Sequence, residues 1–167
     1  MTFPGYVCFM AHQDMTLTCM SRTIEALRAE IEALRHDSRH DPLTGLGNRR
    51  LLEERSSARG GRFVAIDLDG FKRAQDAHPD GHAYGDIVLR DFAAFLLRMT
   101  SFSDDRVACR VGGDEFTVCC SNLFSARVVA RRIAGWRYDD VTASTGIGEN
   151  REEADLALYA AKKEKLL

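Results

Sequence analysis

The stretch RVGGDEFTV, Arg110–Val118, decides the fold of this chain. On both sides of its glycine pair, apolar residues alternate with polar ones. Alternation with a period of two is typical of β-strands, and a glycine pair between two such runs is typical of a tight hairpin turn. Two acids, Asp114 and Glu115, follow the glycines directly. The stretch therefore predicts a β-hairpin that carries two carboxylates at its tip.

A hairpin tip of this composition suits metal and phosphate chemistry. Glycines let a ligand approach the main chain closely, and carboxylate oxygens are the ligands that Mg²⁺ prefers. The alternative is an ordinary Gly-Gly-Asp turn with a solvated acid. For this stretch alone the ordinary turn is favoured, so the rest of the chain has to decide between the two interpretations.

Length and composition predict one globular domain with a short appendage. The 167 residues are 45% hydrophobic and 29% charged, and the formal net charge of -2 gives no support for a nucleic-acid or anionic membrane partner. No apolar run approaches the ~20 residues that a membrane span needs, and the N-terminus lacks the layout of a signal peptide. The 5 cysteines are an odd count without CxxC spacing. We therefore expect a cytoplasmic protein whose hairpin cysteines are small core residues.

A heptad pattern near the N-terminus predicts a coiled-coil-like helix. Its a/d seam comprises Leu17, Met20, Ile24, Leu27, Ile31 and Leu34. Isoleucine at a and leucine at d favour a parallel pair of helices, in which Glu30 would face Arg35 of the partner helix. A single amphipathic helix on its own domain is the alternative, because the run is shorter than the three to four heptads that secure such an assignment. We expect a homodimer through the Leu17–Leu34 helix, and we find no clear pattern in residues 1–16.

The run RFVAIDLD, Arg62–Asp69, predicts a buried strand that ends in two acids. Residues two apart on a strand share a face, so the carboxylates of Asp67 and Asp69 can converge at its C-terminal end. Gly70 follows, and then a predicted short helix with Lys72 in its first turn. Free N–H groups and the helix dipole at such a junction favour an anion. The sequence therefore predicts an anion site beside two convergent carboxylates.

The remaining pattern predicts an α+β fold, with a central, mostly antiparallel sheet flanked by helices and preceded by the amphipathic N-terminal helix. The further elements expected are helices over Gly85–Met99, from a cap at Ser121 or Asn122 to about Gly135, and over Glu152–Lys165, and a strand over Val141–Glu149. The order β–α–α–β–β–α–β–α, with a hairpin inside, is not that of a doubly wound sheet. We assign residues 1–38 to the N-terminal segment with its dimerisation and signalling helix, and residues 39–167 to the α+β domain.

Six motifs occur along the chain in a defined order. They are DPLTGLGNRR, AIDLDGFK, GHAYGD, RVGGDEF, TASTGIG and ADLALYAAK. Each is weak alone, but together they are similar to the motifs of GGDEF domains, the diguanylate cyclases, in order and broadly in spacing. The resemblance spans Asp41 to Lys165, and it implies the palm-like fold that this family shares with polymerases and adenylyl cyclases.

The resemblance implies that two GTP molecules, held face to face by two domains, are condensed into cyclic di-GMP and pyrophosphate by two-metal phosphoryl transfer. It implies Mg²⁺ or Mn²⁺ as the cofactor, with Asp67, the Leu68 carbonyl and Asp114 as metal ligands. In this scheme Asp114 is also the proton acceptor, Glu115 is the second acid, and Lys72 stabilises charge on the phosphates. The implied substrate-binding residues are Gly70, Phe71, Gln75, His82, Asp86 and Lys162.

General chemistry agrees with these roles, and each residue also has an ordinary alternative. Asp86 can accept hydrogen bonds from the N1–H and amino groups of guanine, which adenine does not offer, so such a site would reject ATP. Asp69 is interpreted as a cap on the helix after Gly70 rather than as a metal ligand. His82 is equally compatible with a core-facing loop position, and Lys162 with a solvated helix position.

The chain departs from the family pattern around the base pocket and at two other motifs. Gln75 stands where asparagine is usual, and the segment Ala77–Asp80 is longer than its usual counterpart. The product-inhibition motif RxxD is replaced by SDDR, Ser103–Arg106, so we expect no feedback inhibition by that route. The usual GRN after the last helix is absent. A catalytically weak or inactive GTP-binding signalling module is therefore the alternative function, and a cyclase for another purine dinucleotide is a third. An input signal would come through the first ~20 residues or an upstream sensor partner.

Overall fold

The structure, a computed structural model, describes residues 20–34, 36, 38–58, 61–101 and 105–165. The chain divides between Ser38 and Arg39 into two units. In the first unit, residues 20–34 form helix α1. The predicted seam positions within it, from Met20 to Leu34, are all exposed. Leu17, Arg35 and residues 1–16 lie outside the described residues, and so does the Ser103 end of the SDDR segment.

The second unit consists of one sheet with helices on both faces. Its elements are α2 (Arg49–Ala58), β1 (Arg62–Asp69), α3 (Phe71–Ala77), α4 (Gly81–Thr100), β2 (Arg106–Arg110), β3 (Glu115–Cys120), α5 (Leu123–Ile133), β4 (Arg137–Tyr138), β5 (Val141–Gly148) and α6 (Arg151–Lys165). The strand order is β2-β3-β1-β5-β4, and all neighbouring strands are antiparallel. The α+β fold with a mostly antiparallel sheet is therefore confirmed.

Strand β1 lies at the centre of the sheet and contributes to the core on both faces. Val64, Ile66 and Leu68 pack in the larger apolar cluster with residues of α4 and α5. The alternate residues Phe63 and Ala65 pack in a second cluster with residues of α2 and α6. Because burial on both faces leaves only the strand ends exposed, the acids near the end of β1 are the first polar groups that a ligand can reach.

Two glycines in β5 allow α6 to lie directly on the sheet. A Cβ atom added to Gly146 would come within 2.1 Å of the backbone nitrogen of Leu158, and one added to Gly148 within 2.3 Å of that of Ala154. No side chain fits such distances, so any larger residue would push the helix away from the sheet. This close packing fixes α6, and with it the lysines of its last turn.

Most elements match the predicted ones, with two differences. Helix α4 begins at Gly81, four residues before the expected Gly85. Pro79 precedes the N-cap residue Asp80 and so lies outside α4, where it interrupts no helical hydrogen bond. The strand β4, Arg137–Tyr138, was not expected, because 2 residues are too few to show alternation. None of the helices in the described part of the chain combines the length and hydrophobicity of a membrane span.

The hairpin cysteines are free thiols that belong to the core. Cys109 and Cys120 are buried, and Cys119 is half-buried. Burial raises the pKa of Cys109 to about 12. The interpretation of these residues as small apolar core residues is confirmed, and their thiols stay protonated at neutral pH.

Candidate functional site

The acids predicted from the two strand ends meet at one end of the sheet. Asp67 on β1 is paired with Glu115 on β3, and the Leu68 N–H donates to the carbonyl oxygen of Asp114 at 3.3 Å. Asp67 and Asp114 both line a pocket of about 480 Å³. The other polar or charged residues that line it are Asp69, Lys72, Arg73, Thr142, Lys162 and Lys165. The antiparallel pairing of β1 with β3 therefore brings two carboxylates to one pocket, and α3 and α6 contribute its cations.

The tip of the hairpin is held in place by Arg110. Its Nε and Nη2 donate to the carbonyl oxygen of Gly113 at 3.1 and 2.8 Å. Its Nη1 donates to Oδ1 of Asp41 at 3.1 Å. Burial alone would raise the pKa of Asp41, but hydrogen bonds from Thr44 and Arg110 outweigh it and lower that pKa. One guanidinium thus connects the hairpin to the loop that precedes α2.

Glu115 does not point into the pocket that Asp67 and Asp114 share. A Cβ atom added to Gly112 would lie 2.5 Å from Oε2 of Glu115, so the carboxylate folds over this glycine. Glu115 instead lines a neighbouring groove of about 420 Å³ between α2 and α6, which also reaches Asp67 and Lys162. The structure therefore places Glu115 beside the acidic pair rather than within it.

Lysines of α6 pair with both acids at the end of β1. Lys162 forms an ion pair with Asp67. Burial, helped by repulsion from Asp114, keeps the pKa of Asp67 above its usual value despite that lysine. The interpretation of Lys162 as a solvated helix lysine is therefore wrong, because its ammonium group contacts a carboxylate at the pocket.

Asp69 does not cap the helix that follows Gly70. Its carboxylate accepts from Ser144 at 2.8 Å, Thr142 at 3.2 Å and Lys165 at 2.8 Å. These partners lie on β5 and α6, so the interpretation of Asp69 as a helix cap is wrong. Burial alone would raise the pKa of Asp69, but the hydrogen bonds from Lys165 and Ser144 lower it overall.

The junction between β1 and α3 offers main-chain groups and cations to the same pocket. Gly70 has a φ of 76°, a left-handed conformation that glycine adopts without strain. Phe71 packs in the core and is also among the residues that line the pocket. Lys72 and Arg73 are exposed and line the pocket. The predicted anion site stays a prediction, and the groups that it needs are present.

The predicted base-contacting residues lie on α3, which carries Gln75, and on α4, which carries His82 and Asp86. The amide nitrogen of Gln75 is 3.3 Å from Nδ1 of His82, so these side chains are hydrogen-bonded to each other. A Cβ atom added to Gly85 would lie 2.3 Å from the same amide nitrogen, which shows that the amide rests on this glycine. His82 is exposed and Asp86 half-buried, so His82 does not face the core.

The longer segment Ala77–Asp80 packs against Tyr84. The ring of His78 stacks on that of Tyr84 with 4.3 Å between centroids. Nδ1 of His78 accepts the Asp80 N–H at 3.1 Å, and the Tyr84 hydroxyl donates to Asp139 at 3.0 Å. These contacts hold the extra residues on Tyr84 and leave Gln75 and His82 facing each other.

Four residues of the site were not singled out from the sequence. They are Asp41, Arg73, Arg110 and Lys165. Arg110 and Asp41 lie within quoted motifs, but their pairing spans 69 positions and has no local signal. Lys165 lies three positions after Lys162, a spacing at which two helical residues share a face, and this was the available clue.

The donors around the acidic pair suit a magnesium-type ion. No cluster of three or more His, Cys, Asp or Glu residues with metal-binding geometry occurs in the part of the chain that the structure describes. Mg²⁺ in phosphate-transferring sites is usually held by one or two carboxylates together with substrate oxygens. Asp67 and Asp114 fit that pattern, with the Leu68 carbonyl as a further candidate donor.

Comparison with known proteins points to one family. The family model described as "Diguanylate cyclase, GGDEF domain" matches residues 38–166. The chain is 36% identical over 166 residues to a probable diguanylate cyclase, DgcE, of Escherichia coli, covering 81% of this chain and 15% of that protein. It is 30% identical over 178 residues to the cyclic di-GMP phosphodiesterase PdeR of the same organism, covering 90% of this chain and 26% of that protein. The chain thus spans about a quarter or less of the length of these relatives.

The fold is similar to a solved structure of the same kind. The crystal structure of the coiled coil and GGDEF domain of DgcB from Caulobacter crescentus, in complex with c-di-GMP, matches with a TM-score of 0.72. The match has 26% sequence identity and covers 91% of this chain and 95% of that chain. The similarity therefore extends over nearly the whole of both chains.

Proposed function

Because the chain belongs to the GGDEF domain family of diguanylate cyclases, we propose that it condenses two GTP molecules into cyclic di-GMP. The 3′-oxygen of each GTP forms a bond to the α-phosphorus of the other, and the bond from that phosphorus to the pyrophosphate breaks. Two pyrophosphates leave, and each 3′-hydroxyl gives up one proton. The observation that carries the proposal is that Asp67 and Asp114 line one pocket together with Lys72, Arg73 and Lys162.

The residues of the site have separable roles in this reaction. Asp67, the Leu68 carbonyl and Asp114 would hold Mg²⁺ or Mn²⁺, and the bound metal would neutralise triphosphate charge and favour loss of the 3′-hydroxyl proton. Asp114 also accepts that proton. Lys72 acts as a point charge on the phosphates. Glu115, which lies beside Asp67 and Asp114, is a second acid that supports metal binding or catalysis.

Nucleotide recognition uses the β1–α3 junction and the gap between α3 and α4. The main-chain N–H groups of Gly70 and Phe71 hold the phosphates, with Lys162 as a further cation. Asp86 accepts from the guanine edge, together with Gln75 and His82. The hydrogen bond between Gln75 and His82 competes with those last contacts.

The nucleotide assay tests this function directly. The protein is incubated with GTP and Mg²⁺, and cyclic di-GMP and pyrophosphate are quantified by liquid chromatography, with ATP as a competitor in parallel samples. We expect one cyclic di-GMP for every two pyrophosphates and no adenine-containing product. Binding of GTP without any product at high protein concentration would select the non-catalytic alternative.

We also propose that α1 forms a parallel coiled coil that brings two domains together. Its apolar seam is exposed, with exposed fractions of 48% for Ile24 and 52% for Leu27. The described helix carries the predicted a and d positions from Met20 onward. Such an exposed stripe on one helix is what a second copy of the same helix would cover.

Replacing Leu27 with glutamate should separate the two copies. A carboxylate in the seam costs ~3 kcal/mol, which raises the dimer dissociation constant about 100-fold. Sedimentation at several protein concentrations measures the constant, and specific activity on dilution should fall in parallel. Ala29→Glu is the matched control, because position 29 lies opposite the seam. Equal behaviour of both variants would contradict the coiled coil.

A weakly active or inactive GTP-binding module is the second candidate function. The amide of Gln75 rests on Gly85 and is bonded to His82, where a guanine base would have to contact both side chains. In addition, the relative PdeR, 30% identical, is named a phosphodiesterase rather than a cyclase. Such a module would signal through α1 to a partner, including an upstream sensor. For either function we propose a cytoplasmic location, where thiols such as Cys119 remain free.

Replacing Gln75 with asparagine tests whether the hydrogen bond between Gln75 and His82 hinders GTP binding. The shorter side chain cannot keep the bond to His82, so GTP no longer has to break a hydrogen bond worth ~1 kcal/mol. We expect the KM for GTP to fall about fivefold with kcat nearly unchanged. Asp76→Asn, an exposed change on the same helix, should change neither value. A higher KM in Gln75→Asn would show that the longer glutamine is itself the better base contact.

A further inference from the structure

Helix α6 presents two lysines to two neighbouring acids, and the two pairs differ in their surroundings. Asp69 accepts from Ser144 and Thr142 as well as from Lys165. Lys165 also donates to the carbonyl oxygen of Ala143 at 3.3 Å. This second pair belongs to a hydrogen-bond network that ties the end of α6 to the sheet.

In the part of the chain that the structure describes, the pair between Lys162 and Asp67 has no such network. Among the described residues, Lys162 is the cation in contact with the Asp67 carboxylate. The nearby carboxylates of Asp114 and Asp69 repel the carboxylate of Asp67. Lys162 therefore supplies the positive charge in direct contact with Asp67, within a crowded group of acids at the end of β1.

We propose that Lys162 is a displaceable counter-ion that occupies the metal-binding carboxylate Asp67 until a nucleotide triphosphate draws it away. This inference rests on the proposed function, since it assigns Asp67 to the metal. A divalent cation and the ammonium group of Lys162 compete for the same carboxylate oxygens. The metal alone therefore binds weakly, and the metal and the nucleotide strengthen each other's binding.

The geometry supports a lysine that can change partners. The side chains of Lys162 and Asp67 are 34% and 20% exposed, and both line the pocket together with the exposed cations Lys72 and Arg73 of the β1–α3 junction. Lysine has a flexible four-carbon stem with three rotatable donors. A triphosphate in this pocket offers oxygens to which Lys162 can move, and this movement frees Asp67.

Thermodynamic linkage gives the proposal a measurable form. If the nucleotide removes Lys162 from Asp67, it raises the affinity of the site for the metal, and the metal must raise the affinity for the nucleotide by the same factor. Without the lysine, the metal should bind more tightly alone and gain less from the nucleotide. A residue that served only to bind phosphate would not change the affinity for the metal alone.

The test measures Mn²⁺ binding without turnover. Electron paramagnetic resonance of free Mn²⁺ is recorded with the full chain, with and without a GTP analogue whose α–β bridging oxygen is replaced by methylene. We expect Lys162→Met to bind Mn²⁺ alone about fivefold more tightly than the unmodified protein, because a competing ion pair is gone. The increase in Mn²⁺ affinity on adding the analogue should shrink by a similar factor in this variant.

Lys165→Met is the matched control, because it removes the same charge from the same helix face but from Asp69. It should change the Mn²⁺ affinity less than twofold. Equal tightening in both variants would show a general charge effect and overturn the proposal, as would unchanged binding in Lys162→Met. Lys162→Gln and circular dichroism exclude a folding defect. If the unmodified protein makes cyclic di-GMP while Lys162→Met leaves Mn²⁺ binding unchanged, only this inference fails. If the unmodified protein neither binds Mn²⁺ in the presence of the analogue nor forms product, the proposed function fails.

Discussion

Asp114→Asn should reduce cyclic di-GMP formation at least about 1000-fold while the domain stays folded. The change removes the charge of one of two carboxylates that would hold the metal, and it removes the group proposed to accept the 3′-hydroxyl proton. Metal stabilisation of phosphoryl transfer contributes several kcal/mol, and each ~1.4 kcal/mol is a factor of ten in rate. The measurement is product formation per enzyme at saturating GTP and Mg²⁺.

The fold should tolerate this substitution because the side chain of Asp114 is not part of the core. The hydrogen bond that joins this residue to β1 uses its carbonyl oxygen, which asparagine retains. Thermal unfolding should therefore shift little. Asp155→Asn is the matched control, because Asp155 is an exposed acid of α6 on the neighbouring groove, and its activity should stay within twofold. Substantial product formation by Asp114→Asn would remove this residue from the reaction.

Local patterns were sufficient to predict most of the fold. The alternating runs around the glycine pair gave the right hairpin, and the acid-ended run Arg62–Asp69 gave the right central strand. In both cases the pattern of apolar residues lies within single strands, where its period directly indicates which residues are buried. The start of α4 was placed late because Pro79 and Gly81 end one helix and begin the next within a few residues.

The site was only partly predictable because its contacts join distant elements. Asp69 appeared to be a local helix cap, but its partners are Ser144 on β5 and Lys165 on α6. The two strands β1 and β5 become neighbours only in the sheet. The sequence predicted separate contacts of Gln75 and His82 with a guanine base. The hydrogen bond between these two side chains depends on the packing of α3 against α4, which no local pattern reports.

Arg110 shows how the tip of the β2–β3 hairpin depends on a distant loop. Its guanidinium joins the Gly113 carbonyl at the hairpin tip to the Asp41 carboxylate before α2. The backbone of Gly47 also pairs with β2, through bonds to Ala108 and Arg110 of 3.1 and 2.8 Å. The loop motif DPLTGLGNRR therefore braces the strand that leads into the tip, and it does so without reaching the pocket itself.

Arg110→Met should lower kcat about 100-fold and destabilise the domain by about 2 kcal/mol. The catalytic loss follows because a displacement of about 1 Å at a reacting group costs roughly 100-fold, and Arg110 fixes the residue before Asp114. The stability loss lies between values for exposed and buried ion pairs, since the side chains of Arg110 and Asp41 are 15% and 19% exposed. Urea unfolding and steady-state kinetics measure the two effects.

The pH dependence of stability identifies the ion pair as the cause. The pKa of Asp41 is lowered in the folded chain, because hydrogen bonds from Thr44 and Arg110 outweigh burial. A carboxylate whose pKa is lowered by folding stabilises the fold at any pH above its pKa in the unfolded chain, which is about 4. That contribution is lost as the pH falls through the pKa that the carboxylate has in the folded chain. The stability difference between the unmodified protein and Arg110→Met should therefore be full at pH 7 and should shrink in acid.

A double-mutant cycle with Asp41→Asn completes the test. Because both side chains belong to one pair, the double variant should be less destabilised than the sum of the single variants, with a coupling of ~1 kcal/mol or more. Arg50→Met is the matched control: Arg50 pairs with Glu54 on the surface, where its side chain is 67% exposed, so its effect should stay below about 0.5 kcal/mol. Additive effects of Asp41→Asn and Arg110→Met, or full activity in Arg110→Met, would show that the hairpin holds its catalytic geometry without this brace.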